Sequence, residues 1–274
     1  MEKITMLGTG AAMVTRCYNT CFMITDDADD TQGAECMLVD GGGGNQILSQ
    51  FEKLGRKASC VRNIFISHNH SDHILGVVWV VRAITQEINK GRYEGNLTIY
   101  AHPRSLEALR TICGFVMQPK LNKHFDSRVI LHPISDGYEA DIMGRHFQFF
   151  DIQSTKELQH GFVCTLHNGK RLGFCGDEPL QKCNEELLQG VDVLMQEAYC
   201  AYEDVEVFNP YPKHHGTVKD SSENAERLGV KTQILFHTEG RTLDTRRERY
   251  TAEATALFSG TTIVPNDLEE IQIP

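Results

Sequence analysis

The sequence predicts an α/β (α+β) chain in which mixed β-sheets are covered by helices. Three observations predict it. Strand-like and helix-like stretches alternate along the 274 residues. Hairpin signatures occur in both halves. His68, Asp177 and His237 each stand just past an expected strand, which lets loops from several strands gather at one sheet edge.

The elements follow in chain order. The runs "CFMIT" and "CMLVD" around the acidic stretch Asp26 to Glu35 read as a β-hairpin. "VDGGGG" ends a strand in a glycine turn. In "NQILSQFEKLG", Ile47, Leu48, Phe51 and Leu54 share one helical face, and Gly55 is the stop. A strand over 63–66 leads into a histidine cluster. The segment from His73 to about Ile88 is too apolar for an exposed helix, so it should be buried on most sides. "LTIYAH" reads as a strand and "RSLEALRTIC" as a short helix. Between Phe125 and Gly176 the chain alternates in strand fashion. "HFQFFDIQ", "GFVCTL" and "KRLGFCG" are strands there, with "HNGK" as the turn between the last two. Helix "QKCNEELLQ", strand "VDVLMQEA", helix "VKDSSENAERLG", strand "VKTQILF", helix "RERYTAEATALF" and a last strand "TTIVP" complete the series.

Composition limits the function classes. The chain is 41% hydrophobic and 23% charged, ordinary for a globular protein, with a net charge of -10. An acidic chain has no general attraction for nucleic acid or anionic membranes. Arg241, Arg246, Arg247 and Arg249 form the one concentrated basic group, read as a solvated, partly helical face. No run reaches the roughly 18 apolar residues of a membrane span. The N-terminus shows no signal peptide. Nine cysteines, an odd number with no Cys-x-x-Cys pair, point to reduced thiols in the cytoplasm. Cys17 and Cys21 read as packing residues.

The chemistry concentrates in "HNHSDH". His68, His70, Asp72 and His73 fall within six residues, directly after the apolar run Ile64-Phe65-Ile66. Positions i and i+2 of a strand-to-helix loop can point to one side, and a following helical turn brings i+5 back. Neutral imidazole and carboxylate suit divalent ions, and this donor density exceeds what one tetrahedral ion with an open position needs. The competing view is surface histidines at a helix start, with Ser71 or Asp72 as N-cap.

"HNHSDH" resembles the His-x-His-x-Asp-His motif of the metallo-β-lactamase fold, and the rest resembles its ribonuclease Z-like, cyclic-phosphate phosphodiesterase branch. "MLGTGAAMVTRCYNT" is similar to the branch's opening strand and Gly-Thr-Gly loop. "LVDGGGGNQIL", "GFCGDEP", "VLMQEAYC" and "HHGTVKDSSENAERLGVKTQILFHTEGR" resemble its later segments, and the likeness covers nearly the whole chain. The resemblance implies a single domain over 1–274, a four-layer αββα sandwich of two mixed β-sheets. It implies two divalent metal ions, Zn first with Mn or Fe as alternatives. His68 and His70 would bind metal one, Asp72 and His73 metal two. Asp177 would bridge them, and His237 would complete metal two.

The implied activity is a dinuclear-metal phosphodiesterase. Its two ions would lie about 3.5–4 Å apart and hold a shared water as the attacking hydroxide. Asp72 would orient the nucleophile, and His215 in "HHGT" would serve the leaving oxygen. His214 reads as part of a capping loop. Glu197 is either a support for the site or a buried carboxylate with a purely structural partner. The pattern breaks at metal one. The family places a third His upstream of a Gly-Phe pair, whereas here His160 abuts Gly161-Phe162. His160 is the ligand in a shifted loop or a side chain packed on the hairpin, with Gln153 or Thr155 in the ordinary slot. Gly43 stands where the family has Glu, and Glu178 where Thr is usual.

The segment from His160 to Asp177 has room for a hairpin and no basic tRNA-gripping arm. A small-molecule phosphodiester, cyclic by analogy, is therefore the expected substrate, with nucleic acid disfavoured and no membrane partner. A homodimer is the family expectation. The alternatives are a tRNA 3′-processing-type endoribonuclease, another hydrolase on the same fold, and a degenerate-site protein that senses a metal or ligand.

Overall fold

Two seven-stranded mixed sheets carry the chain. The computed structural model describes residues 2–26 and 34–273, so the acidic turn expected after Asp26 lies outside the described residues over 27–33. Among the described residues there are two compact units. One comprises 2–8, 18–134 and 267–273, the other 9–17 and 135–266.

In the first unit, β1 (Glu2–Gly8), β2 (Cys21–Asp26) and β3 (Cys36–Val39) pair antiparallel. β4 (Val61–Ile66), β5 (Leu97–Ala101) and β6 (Val129–Pro133) then extend the sheet in parallel. Helix α1 (Gln46–Lys53) buries Ile47 and Phe51, and Gly55 just past it takes φ +67°, the left-handed conformation that suits glycine. Helix α2 (Ser71–Asn89) is buried on most sides, as its composition predicts. Helices α3 (Pro103–Val116) and α4 (Pro119–Asn122) follow. Apolar side chains from α1, α2, α3 and the strands form one core.

The second unit runs the same scheme. β7 (Glu139–Ile142), β8 (Arg145–Asp151), β9 (His160–Thr165) and β10 (Arg171–Phe174) pair antiparallel. β11 (Val193–Glu197), β12 (Thr232–Phe236) and β13 (Thr261–Ile263) continue in parallel. Phe147 and Phe149 of β8, Phe162 of β9, Phe174 of β10 and Phe236 of β12 form a chain of ring contacts along the sheet. Short helices α5 (Glu185–Leu188) and α6 (Val205–Phe208) precede α7 (Val218–Arg227) and α8 (Arg246–Thr255). Thr217 caps α7 in a reciprocal box with Asp220.

Two expectations need correction. The strand over 261–263 is not the last. β14 (Glu270–Ile273) returns to the first sheet and pairs antiparallel with β1. Its four residues alternate exposed and buried, too short a run to stand out in sequence. The arginine group is also not a uniformly solvated face. Arg246 is 1% exposed, and its guanidinium donates to Thr238 Oγ1 at 2.7 Å and to the Pro265 carbonyl at 2.5 Å. Those acceptors lie in two separate segments, and they let the two terminal nitrogens of the cation be buried with hydrogen bonds made.

Candidate metal centre

In the first unit, His68 follows β4 in a loop and His70 occupies the N-cap position of α2 without a side-chain cap bond. The helix starts at Ser71, which places Asp72 and His73 in its first turn. Neither Ser71 nor Asp72 is the N-cap. His68 Nε2 lies 2.8 Å from His70 Nδ1, and the His68 and His73 ring centroids are 4.1 Å apart. His73 Nε2 lies 3.3 Å from Asp72 Oδ2.

Asp40 organises these rings. It sits at φ +55° in the turn after β3. Its Oδ1 accepts from the Ser67 amide at 2.8 Å, and its Oδ2 accepts from Ser67 Oγ at 2.7 Å. The same Oδ2 lies 2.8 Å from His73 Nδ1. Because the Ser67 hydroxyl spends its proton on Asp40, it accepts from His68 Nδ1 at 2.9 Å. Both imidazoles therefore carry hydrogen on Nδ1, and both Nε2 atoms keep a lone pair. A carboxylate behind a histidine is the usual support of a metal ligand.

Backbone contact holds this arrangement. Gly41 N donates to the His73 carbonyl, and Gly76 N donates to the Gly42 carbonyl, each at 2.8 Å. A Cβ on Gly76 would stand 1.7 Å from the Gly41 oxygen, so only glycine lets α2 approach the Asp40 turn this closely.

In the second unit, Asp177 follows β10, Glu197 ends β11 and His237 follows β12. The carboxyl ends of neighbouring parallel strands thus present ligand-type side chains together. Asp177 is clamped by Gln159, whose amide nitrogen donates to Asp177 Oδ1 at 2.7 Å and whose oxygen accepts from the Asp177 amide at 2.8 Å. His237 Nε2 lies 3.4 Å from Asp177 Oδ2. His237 takes φ +57°, a costly conformation for a non-glycine residue. The following residue is tied on both sides, Thr238 N to the Thr9 carbonyl and Ala11 N to the Thr238 carbonyl, each at 3.0 Å.

Glu197, His215 and His237 bring one ligand-type atom each to within 4.8 Å of one another. Glu197 Oε2 accepts from His215 Nδ1 at 2.9 Å, and Oε1 accepts from the Gly216 amide at 2.5 Å. Burial pushes the Glu197 carboxyl well above its ordinary range. Burial also pulls the His215 imidazole below its ordinary value. Tyr199 stacks on the His215 ring at 5.1 Å and 10°.

The remaining expected residues fall as follows. His160 opens β9 opposite Asp151 and is buried, outside the Glu197–His215–His237 cluster. His214 Nδ1 lies 2.8 Å from Thr155 Oγ1. Gln153 donates its amide to Asp151, and Glu178 accepts from Ser154 Oγ and faces Lys156. Asp40, Ser67 and Gln159 had no role assigned from sequence. The one signal for them in the sequence is the Asp of "LVDGGGG", at the end of an apolar run and before the glycine turn.

The donor sets fit divalent ions. Buried imidazoles with Nε2 lone pairs stand beside carboxylates in the first unit, and a braced Asp and His do so in the second. Residues 2–243 match the family described as anti-Pycsar protein Apyc1. Ribonuclease Z of Gloeothece citriformis is 25% identical over 287 aligned positions, which span 86% of this chain and 84% of that protein. The metallo-β-lactamase fold protein YhfI from Bacillus subtilis has a TM-score of 0.77 at 15% identity, covering 98% of both chains. Human tRNase Z, short form, has a TM-score of 0.74 at 18% identity, covering 99% of both. The chain belongs to the anti-Pycsar Apyc1 family and is a metal-dependent, ribonuclease Z-like hydrolase of the metallo-β-lactamase superfamily.

Proposed function

We propose that the chain is a dinuclear phosphodiesterase for small, cyclic phosphodiesters. His68 and His70 serve one ion, Asp72, His73 and His237 the other, and Asp177 both. Zinc is the first choice, with manganese or iron as alternatives. His160 completes the first ion's set in this reading. The observation that carries the reading is the Asp40–Ser67 relay, which takes up the Nδ1 hydrogens of His68 and His73 and so leaves the Nε2 atom of each ring as the one with a lone pair to offer.

When bound, such ions acidify a water and neutralise charge on the phosphoryl group. The chain's own residues do the rest. Asp72 accepts a hydrogen bond from the attacking water and orients it. Glu197 holds His215 through Nδ1–H, and His215 in its imidazolium form would give the leaving oxygen the second proton, on Nε2. The lowered pKa of His215 makes that proton easy to release.

Size and charge support a small substrate. The net charge of -10 disfavours a polyanion, and the stretch from His160 to Asp177 is spent on β9, β10 and their turn. A second reading has its own support, because the curated relative is named ribonuclease Z. The expectation against nucleic acid gains nothing from that relative, so RNA belongs in the test. The nine free thiols favour a reducing, cytoplasmic setting.

The test is metal content per chain, with hydrolysis of bis-p-nitrophenyl phosphate, cyclic mononucleotides and a precursor tRNA by the same sample. Two equivalents with turnover of cyclic mononucleotides are expected. Turnover of precursor tRNA alone would replace this reading with the endoribonuclease. One equivalent or none, with no turnover after Zn or Mn is restored, would leave a sensor. His160→Ala should reduce the content to one equivalent, and unchanged content would remove His160 from the set.

A further inference from the structure

Away from the metal centre, two thiols of the first unit meet inside the sheet. Cys36 opens β3, and Cys60 closes a 3-10 turn over Ala58–Cys60 that feeds the parallel neighbour β4. Their sulfurs are 3.5 Å apart. A disulfide needs about 2.05 Å, a gap that small side-chain rotations and a local shift can close. The strand pairing is irregular here, with the register shifting between Cys36 and Met37, which gives the backbone room for such a shift. Met23 adds a third sulfur 3.6 Å from Cys36.

The two thiols are not equivalent. Cys36 is fully buried, whereas Cys60 is 6% exposed. The Cys36 thiol is held well above its ordinary range, first by donating its proton to Cys60 and then by burial. The Cys60 thiol is held below its ordinary value, first by that hydrogen bond and further by the Arg56 guanidinium. Arg56 is itself buried and donates to the Ala34 carbonyl at 3.2 Å. A thiol held toward its thiolate, buried but for a 6% exposure, with a second thiol in sulfur contact is the arrangement of a peroxide-reactive cysteine and its resolving partner.

We propose that Cys36 and Cys60 form a reversible disulfide in response to hydroperoxide. The Cys60 thiolate attacks a peroxide oxygen, the O–O bond breaks, and Cys60 becomes a sulfenic acid while the released hydroxide leaves as water. The Cys36 sulfur then attacks the Cys60 sulfur. The S–S bond forms, the S–O bond breaks, and the departing oxygen takes the Cys36 proton as a second water. Two thiols lose two electrons, and one peroxide is reduced to two waters. The closed loop, residues 36–60, contains Asp40, so the crosslink braces the turn on which His68 and His73 depend.

The experiment is peptide mapping of the full chain without reduction, after the reduced protein is treated with hydrogen peroxide at a small excess. A Cys36–Cys60 linked peptide that dithiothreitol reverses is expected. Cys60→Ser should lose the link and leave Cys36 alkylatable, whereas substituting the exposed Cys183 by Ser should leave the link intact. If Cys60→Ser does not fold, the wild-type map decides alone. The oxidised wild type should also melt on the order of 5 °C higher than the reduced form. Alkylatable Cys36 and Cys60 after treatment would overturn the proposal. So would Cys60 driven to sulfinic acid without a crosslink.

Discussion

Asp40 touches its partners through two carboxylate oxygens: Oδ1 anchors the Ser67 backbone, and the tautomers of His68 and His73 depend on Oδ2. Asp40→Asn keeps the volume but removes the charge and one acceptor. It should weaken metal binding by roughly 10–100-fold with little change in secondary structure, as competitive chelator titration and circular dichroism would read. His215 behaves differently. His215→Ala should keep the metal and lower turnover by ~10²–10⁴-fold, most on poor leaving groups. Wild-type turnover in that variant would remove it from the mechanism. The sequence shows "HNHSDH" plainly because those donors are neighbours along the chain. Asp40 and Gln159 stay hidden because their partners are met only after folding, His73 across the β3–β4 pair and Asp177 across the β9–β10 hairpin. The burial of Arg246 is hidden for the same reason, since a run of arginines looks alike whether solvated or enclosed.

Helix α2 meets the Asp40 turn backbone to backbone, and Gly76 is the point of contact. Gly76→Ala should destabilise the protein by at least ~2 kcal/mol, because the intruding Cβ meets a carbonyl that cannot rotate away. Chemical denaturation would measure it, and an unchanged midpoint would mean that the helix shifts freely. Element identity was legible where patterns were long. The nineteen-residue α2 and the parallel strands with continuous burial are read from apolar runs alone. Short elements were not, because β14 has too few residues for alternation to be distinguished from chance.

At the scale of the molecule, the metal reading has a stability consequence. Ligands that bind only the folded chain stabilise it by mass action. Removal of metal with a chelator should therefore lower the melting midpoint, and restoring Zn should recover it. An unmoved midpoint in a sample shown to contain metal would place the ion outside these ligand sets. The fold class was legible as a whole because both sheets repeat one scheme, antiparallel hairpins passing into parallel strands.

The strand β14 carries a different consequence, for the order in which the chain is made. β1 is synthesised before the whole second unit, yet one of its two neighbours, β14, follows that unit. On the ribosome, one flank of β1 therefore waits with open hydrogen-bonding groups while some 130 residues emerge at about 5–20 residues per second. For several seconds the nascent first sheet offers a bare margin that another chain can occupy.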